Sequence, residues 1–233
     1  MRHVLKPRLP LRTVILVAVA AGLVWLSGSF FRALPVEALP AELPKANFGL
    51  VDDTSKYVYL SDLALDTTHQ SSVGWGSLLF DQTSSGGKIT ERYEGNVITF
   101  DKGIWAHASS NVYYNLKEVG IEGEYDYLTA YAGLNTTAAS SSNGVIFWVY
   151  GSTDGTKWDV LYNEESKVTR PGTNADFVKV NIKRYKYLRL QADANGSNGN
   201  DHAVWGDARL VKDGYNASVV PATSEFDAYF QQM

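Results

Sequence analysis

No cysteine occurs anywhere in the chain, which excludes thiol catalysis and any fold stapled by disulfides. Stability must therefore come from burial, or from burial helped by a metal ion. Histidine is scarce too: His3, His69, His107 and His202 are all there are. None of them forms a helical metal-binding motif, and only a three-histidine zinc site stays open. Ser109 and Ser110 follow closely on His107, yet there is no Gly-x-Ser-x-Gly elbow to present a strained nucleophile, which argues against a serine hydrolase. Positive charge is short as well. Taking Arg2, Lys6, Arg8 and Arg12 away from the formal charge of −4 leaves −8 on the remainder, an acidic surface unsuited to nucleic acid.

A sustained apolar run is found only near the N-terminus. Met1 to Arg12 is basic with no acidic residue, and Thr13 to Phe31 is uncharged and largely apolar. The unbroken run Val14 to Leu26 suits the core of a signal peptide, with Ser27-Gly28-Ser29 as a small-residue cleavage site. Counted through Phe30 and Phe31 the segment reaches the roughly 20 residues that span a bilayer. A transmembrane signal-anchor or a cleaved signal peptide is expected over 13–31. Either one leaves the basic tip, 1–12, in the cytoplasm and everything after Arg32 outside it. Pro35, Pro40 and Pro44 then make 32–47 an extended linker.

Downstream, helical periodicity is missing. Short apolar or alternating runs broken by Gly, Ser, Asn and Asp predict strands at 57–60, 89–93, 96–100, 111–115, 127–134, 145–150, 158–162, 177–181, 187–192 and 203–210. That many short strands fit an all-β sandwich over 48–213. Glu94-Gly95 and Asp154-Gly155 read as tight turns between antiparallel neighbours. Thr136 to Asn143 reads as a Ser-rich loop, and 214–233 as a loosely ordered tail.

Glu122, Glu124, Asp126, Glu164 and Glu165 are the carboxylates that a glycosidase would need in facing pairs, but they lie in polar segments that read as solvated surface. Recognition by stacking is better supplied, since the apolar face of a sugar packs on an aromatic ring. Trp75, Trp105, Trp148, Trp158 and Trp205 all lie in the exported part. Trp148, inside Val145-Ile-Phe-Trp-Val-Tyr150, and Trp158, after a turn, read as packing. Trp75 in Gly74-Trp75-Gly76 and Trp105 in Lys102-Gly103-Ile104-Trp105-Ala106-His107 lie in glycine-marked segments that suit ligand contact.

Several ordered pieces resemble the NPCBM family, the novel putative carbohydrate-binding module. They are Tyr59-Leu60-Ser61-Asp62-Leu63, Gly74-Trp75-Gly76, Gly86-Gly87-Lys88-Ile89, and above all Phe100-Asp101-Lys102-Gly103-Ile104-Trp105-Ala106-His107-Ala108. The closing segment Asp201-His202-Ala203-Val204-Trp205-Gly206-Asp207-Ala208 is similar to that family's ending, from which Val204 and Gly206 depart.

The resemblance implies a galactose-binding-like (jelly-roll) β-sandwich and carbohydrate binding without catalysis. Trp75, Trp105, His107, His202 and Trp205 are then the candidate sugar contacts. A neutral histidine offers one donor and one acceptor, which suits paired hydroxyls; a buried structural role for His107 and His202 is the alternative. The same resemblance implies a structural calcium ion held through Asp62 and Asp207. If relatives place an acidic contact where Val204 stands, it is missing here. Galactose-type, cell-surface or cell-wall glycans are the expected partners, with the membrane through the N-terminal helix. A sandwich that binds a protein partner and an enzyme built on the loop carboxylates are the competing functions. Asn135, Asn195 and Asn216 match the glycosylation sequon.

Overall fold

The computed structural model describes residues 55–163 and 165–215. The basic tip, the membrane or signal segment and the proline-rich linker lie outside the described residues, as do Asn216 and the rest of the tail. Among the described residues no helix is long and apolar enough to cross a membrane.

The described chain is all β. In order come β1 (Tyr57–Tyr59), a 3₁₀ turn (Leu60–Asp62), β2 (Leu79–Phe80), β3 (Ile89–Tyr93), β4 (Asn96–Phe100), β5 (Gly103–Trp105) and β6 (Ser110–Asn115). Then follow β7 (Tyr127–Leu134), β8 (Val145–Ser152), β9 (Asp159–Tyr162), β10 (Val168–Thr169), β11 (Asp176–Asn181), β12 (Tyr187–Asp193) and β13 (Ala203–Val211). One sheet runs β11-β7-β13-β5-β2, with β1 also on β13; the other runs β10-β8-β12-β6, with β9 on β8. Every pairing is antiparallel. The fold is the galactose-binding-like sandwich that the family resemblance implies.

All ten expected strands are present, with ends shifted by a residue or two. Three short ones, β2, β5 and β10, escape a reading based on apolar runs. Each is two or three residues long, too short for an alternation of period two to show.

The main core lies between the sheets, where β6, β8 and β12 set Val112, Tyr114, Phe147, Val149, Leu188 and Leu190 against Ala130, Ala132, Trp205 and Leu210 of β7 and β13. A second cluster lies on the far side of the six-stranded sheet. The hairpin β3-β4 folds over that face and buries Trp105, Tyr131 and Val204 beneath Ile89, Ile98 and Phe100. Its turn needs two successive left-handed residues, supplied by Glu94 (φ 49°) and Gly95 (φ 81°), the geometry that matches the twist of a two-residue hairpin loop. With both faces covered, β13 is buried at every position except Asp207.

The hairpin also buries a carboxyl group. Glu91 on β3 is fully inaccessible, and neither of its oxygens has a hydrogen-bond partner. Burial alone pushes its pKa well above the ordinary value, because low dielectric disfavours the charged form. The folded chain thus keeps a proton that the unfolded chain releases at about pH 4.3. The folded state binds more protons over that window, so stability falls as pH rises through it and levels off only above the raised folded pKa. Glu91→Leu is expected to add roughly 1–3 kcal/mol at neutral pH and to flatten this slope. Urea unfolding at acidic and neutral pH measures both; an unchanged slope in the variant would place the pH dependence elsewhere.

Candidate functional site

The alternation of β5 and the segment after it decides which residues turn away from the main core. Ile104, Ala106 and Ala108 belong to the main core, so Trp105 and His107 project to the opposite side. Trp105 runs under the hairpin and is 1% exposed. His107 passes the end of the sheet, where the hairpin no longer covers it, and lines a cleft.

That cleft has a volume of about 380 Å³ and is lined by Trp75, His107, Asn198, Gly199, Asn200 and His202. Four rings run in series from this cleft to the space beneath the hairpin. Trp75 and His107 have centroids 5.7 Å apart, His107 and His202 5.7 Å, and His202 and Trp105 5.1 Å. Trp75, at 61% exposure, is the outer end of the series and Trp105 the inner one.

Backbone contacts hold Trp75 in place. The Gly74 N–H donates to the His107 carbonyl at 3.0 Å, and the Asn198 Nδ2 donates to the Gly74 carbonyl at 3.3 Å. A Cβ on Gly74 would lie 2.2 Å from the Ala108 oxygen and 2.3 Å from the Ser109 nitrogen. Only glycine permits that approach, which is the reason for the first glycine of Gly74-Trp75-Gly76.

The far wall is the Asn/Gly-rich loop 194–202, pinned to the Ser-rich loop 136–143. Asn200 Nδ2 donates to Ser141 Oγ at 2.9 Å, the Ser142 hydroxyl donates to the Asp201 carboxylate, and Asn195 Nδ2 donates to the Asn143 carbonyl. The Ser-rich stretch, which reads in the sequence as a plain connection, is the buttress of this wall. Asn198 and Asn200 also escape a search for catalytic or stacking residues. Their signal was the density of Asn and Gly in Asn195 to Asn200, which favours left-handed backbone; Asn195 and Asn200 both adopt it.

The imidazoles are set by their neighbours. His107 Nδ1 lies 2.8 Å from the Ala108 carbonyl. His202 Nδ1 lies 3.0 Å from the Thr137 hydroxyl. Burial, and next the charge that His107 can carry, push the His202 pKa below its ordinary value, which keeps that ring neutral at pH 7. Asp201, fully buried behind the cleft, has its pKa raised by burial, against the opposing pull of the Ser142 hydroxyl and of His107.

The structure thus brings together Trp75, His107 and His202, and it corrects the expectation for two tryptophans. Trp205 is 0% exposed and packs edge-on against Phe147 of the other sheet at 5.2 Å; it cannot stack on a ligand. Trp105 touches the site only from behind, through His202. Val204 is fully buried under the hairpin and does not line the cleft.

The calcium expectation meets a direct obstacle. The first and last segments do lie side by side, with β1 paired to β13. Asp62, however, receives the Lys102 ammonium at 2.5 Å, and the same ammonium reaches Asp81 at 2.9 Å. Asp207 is paired with Arg209. A cation of the chain thus already occupies the approach to each carboxylate, Lys102 being shared by Asp62 and Asp81, and a calcium ion needs six to eight oxygens. Asp62 and Asp207 as arranged here do not fit one. Among the described residues no three His, Cys, Asp or Glu side chains gather to hold a metal ion.

His69 is tied elsewhere. Its Nδ1 is 2.5 Å from Asp66 and its Nε2 2.8 Å from the Gly155 carbonyl. Both neighbours accept, so both nitrogens donate and the ring is an imidazolium; its pKa is raised, first by the Asp66 hydrogen bond. Neither nitrogen is available for the zinc site that the histidine count left open.

Of the candidate acids, Glu122, Glu124 and Glu165 are exposed and Glu122 pairs with Lys186, while Glu164 lies outside the described residues. Asp126 accepts from the Asp213 N–H and pairs with Lys183, and these hold its pKa below the usual carboxylate range, the opposite of what a general acid requires. Asn135 of the first sequon is 1% exposed, which leaves no access for a glycan.

Comparison with known proteins bears on this geometry. Residues 56–211 match the NPCBM/NEW2 domain. A family 51 carbohydrate-binding module, CBM51 from Clostridium perfringens GH95 in complex with methyl-galactose, is 32% identical with a TM-score of 0.58, covering 66% of this chain and 99% of that one. The structure of the M60 catalytic domain with two CBM51 domains from Clostridium perfringens ZmpB is 34% identical with a TM-score of 0.57, over 68% of this chain and 15% of that one. CBM51-2 with INT domains of the same ZmpB, in complex with GlcNAc, is 29% identical with a TM-score of 0.56, over 67% of this chain and 32% of that one. Among curated proteins none matches the chain.

Proposed function

The chain belongs to the NPCBM/NEW2 family, and we propose that its sandwich is a non-catalytic module that binds carbohydrate in the cleft beneath Trp75. The observation that carries this reading is the juxtaposition of a tryptophan 61% exposed with two histidines in one cleft. The indole offers an apolar platform to the C–H face of a sugar, and the imidazoles and amides offer polar partners to its hydroxyls. A flat apolar patch would have favoured a protein partner and a facing pair of carboxylates an enzyme; the cleft has neither character.

Methyl-galactose and GlcNAc on similar modules support a neutral hexose or N-acetylhexosamine as the ligand. The basic tip and the uncharged stretch Thr13 to Phe31 support display outside the cytoplasmic membrane.

A glycan array probed with the full-length chain tests the reading. Selective binding to galactose- or N-acetylglucosamine-terminated glycans is the expected result. A folded protein silent on every glycan would overturn it and turn attention to a protein partner.

A further inference from the structure

The hydrogen bonds behind the cleft determine which way the protons point. The Ala108 carbonyl can only accept, so His107 Nδ1 carries the proton that bridges the 2.8 Å gap. A neutral imidazole protonated at Nδ1 has a bare lone pair at Nε2.

For His202 the same result comes through a longer chain. Thr137 donates its backbone N–H to Asn135 Oδ1 at 3.2 Å, which identifies that amide atom as the oxygen. The Thr137 hydroxyl lies 2.9 Å from the same oxygen and donates its single proton there. It has none left for His202 Nδ1, 3.0 Å away, so the ring donates and the hydroxyl accepts. His202 Nε2 is then a second lone pair. Neither Nε2 has a partner among the described residues, and both rings line the cleft.

We infer that the cleft presents both imidazoles to its ligand as hydrogen-bond acceptors, held in that tautomer by Ala108 and by the Asn135–Thr137 relay, so that it selects a sugar able to donate two hydroxyl protons. This rests on the carbohydrate reading and deepens it. Thr137 enters as a positioning residue: it touches no sugar and acts through the His202 ring. Asn135, which the sequence offers as a glycosylation site, serves as the buried anchor of the relay.

Two readouts on the full-length chain test the inference. In long-range ¹H–¹⁵N correlation spectra of the unliganded protein at neutral pH, His107 and His202 are expected as Nδ1–H tautomers. Either ring found protonated at Nε2 overturns the inference, whether or not any glycan binds. The second readout is titration with the monodeoxy and monodeoxyfluoro series of methyl galactoside and of N-acetylglucosamine.

Fluorine cannot donate. At the two hydroxyls that meet the imidazoles, the fluoro sugar is therefore expected to bind about tenfold more weakly, as badly as the deoxy sugar, because a desolvated acceptor is left unpaired. Tolerance of fluorine at every position would sink the inference and leave carbohydrate binding standing; silence of the parent sugars and of the whole glycan array would sink both. Thr137 is exposed, so Thr137→Val does not threaten the fold. It is expected to mix the His202 tautomers and to weaken binding roughly threefold to tenfold, with Thr137→Ser restoring both. A Thr137→Val protein with an unchanged His202 spectrum and unchanged affinity would refute the relay.

Discussion

Replacing Trp205 by alanine is expected to cost about 3–5 kcal/mol of folding stability, the range for emptying a tryptophan-sized space in a close-packed interior. Trp205 is completely inaccessible and lies in β13, which pairs with β7 on one edge and with β5 on the other. Its ring crosses the sandwich to meet Phe147 of the opposite sheet edge-on, with planes at 89°. The space left by alanine faces β-strands on both sides, which are fixed in register by their ladders and cannot close around it.

A second variant isolates the packing term. The Trp205 Nε1 is buried without a partner, so the indole carries a desolvation cost that phenylalanine would not. Trp205→Phe should therefore lose well under half of what Trp205→Ala loses. Urea denaturation of the two variants beside the parent measures both. An alanine variant as stable as the parent would contradict the core placement, and a phenylalanine variant as poor as alanine would mean that indole shape is what the core requires.

The opposite pattern is expected at Trp75. It is the outermost ring of the cleft and is 61% exposed, so Trp75→Ala should change stability by no more than about 0.5 kcal/mol. Its effect should fall on binding. A large aromatic that supplies the stacking platform of a small recognition site contributes upward of roughly 2 kcal/mol when truncated, a loss of about thirtyfold or more in affinity. Calorimetric titration with the best glycan of the array, alongside thermal unfolding, reads the two quantities separately. Lost binding with an unchanged melting temperature places the sugar under Trp75; unchanged binding would move the site away from this cleft. The two tryptophans carry the same side chain, and only their exposure gives them opposite roles.

The same contrast marks how far the residues alone could be read. Strands such as β8 and β12 were visible because one face alternates strictly into the core: Val145, Phe147 and Val149, then Leu188, Leu190 and Ala192. Along β13 that rule fails. Trp205 and Val204 point to opposite faces, and both are buried because the β3-β4 hairpin closes over the second face. Nothing in the local pattern announces that cover, since the hairpin is separated from β13 by about a hundred residues. Trp105 escapes a local reading for the same reason: Gly103, two residues before it, suggests a loop, while the structure pairs Ile104 and Trp105 with Phe80 and Leu79.

That Trp75, His107 and His202 meet in one cleft agrees with local signals, the tryptophan standing between two glycines and the histidines standing in the two segments that resemble the family's motifs. The loops that hold them were not legible in that way. Asn198 and Asn200 line the cleft, and Ser141 and Ser142 brace their loop through contacts such as the 2.9 Å bond from Asn200 to Ser141 across fifty-nine positions. The aspartates expected for calcium, Asp62 and Asp207, lie in or next to two strands that pair, but the sequence does not show that Lys102 reaches Asp62 across forty positions.

What the amino-acid sequence determined by itself was everything that depends on near neighbours: the all-β class, most strands, the tight turn at Glu94-Gly95, the absence of thiol chemistry and the family motifs around His107 and His202. Backbone propensity and alternation act within a few residues, so they are written locally. The tertiary structure alone decided which tryptophan faces water, which cation approaches each aspartate, and which groups stand against the ring nitrogens of His107 and His202. Those outcomes depend on burial and on hydrogen bonds between segments far apart in the chain, and such distances exist only once the sheets have closed on one another.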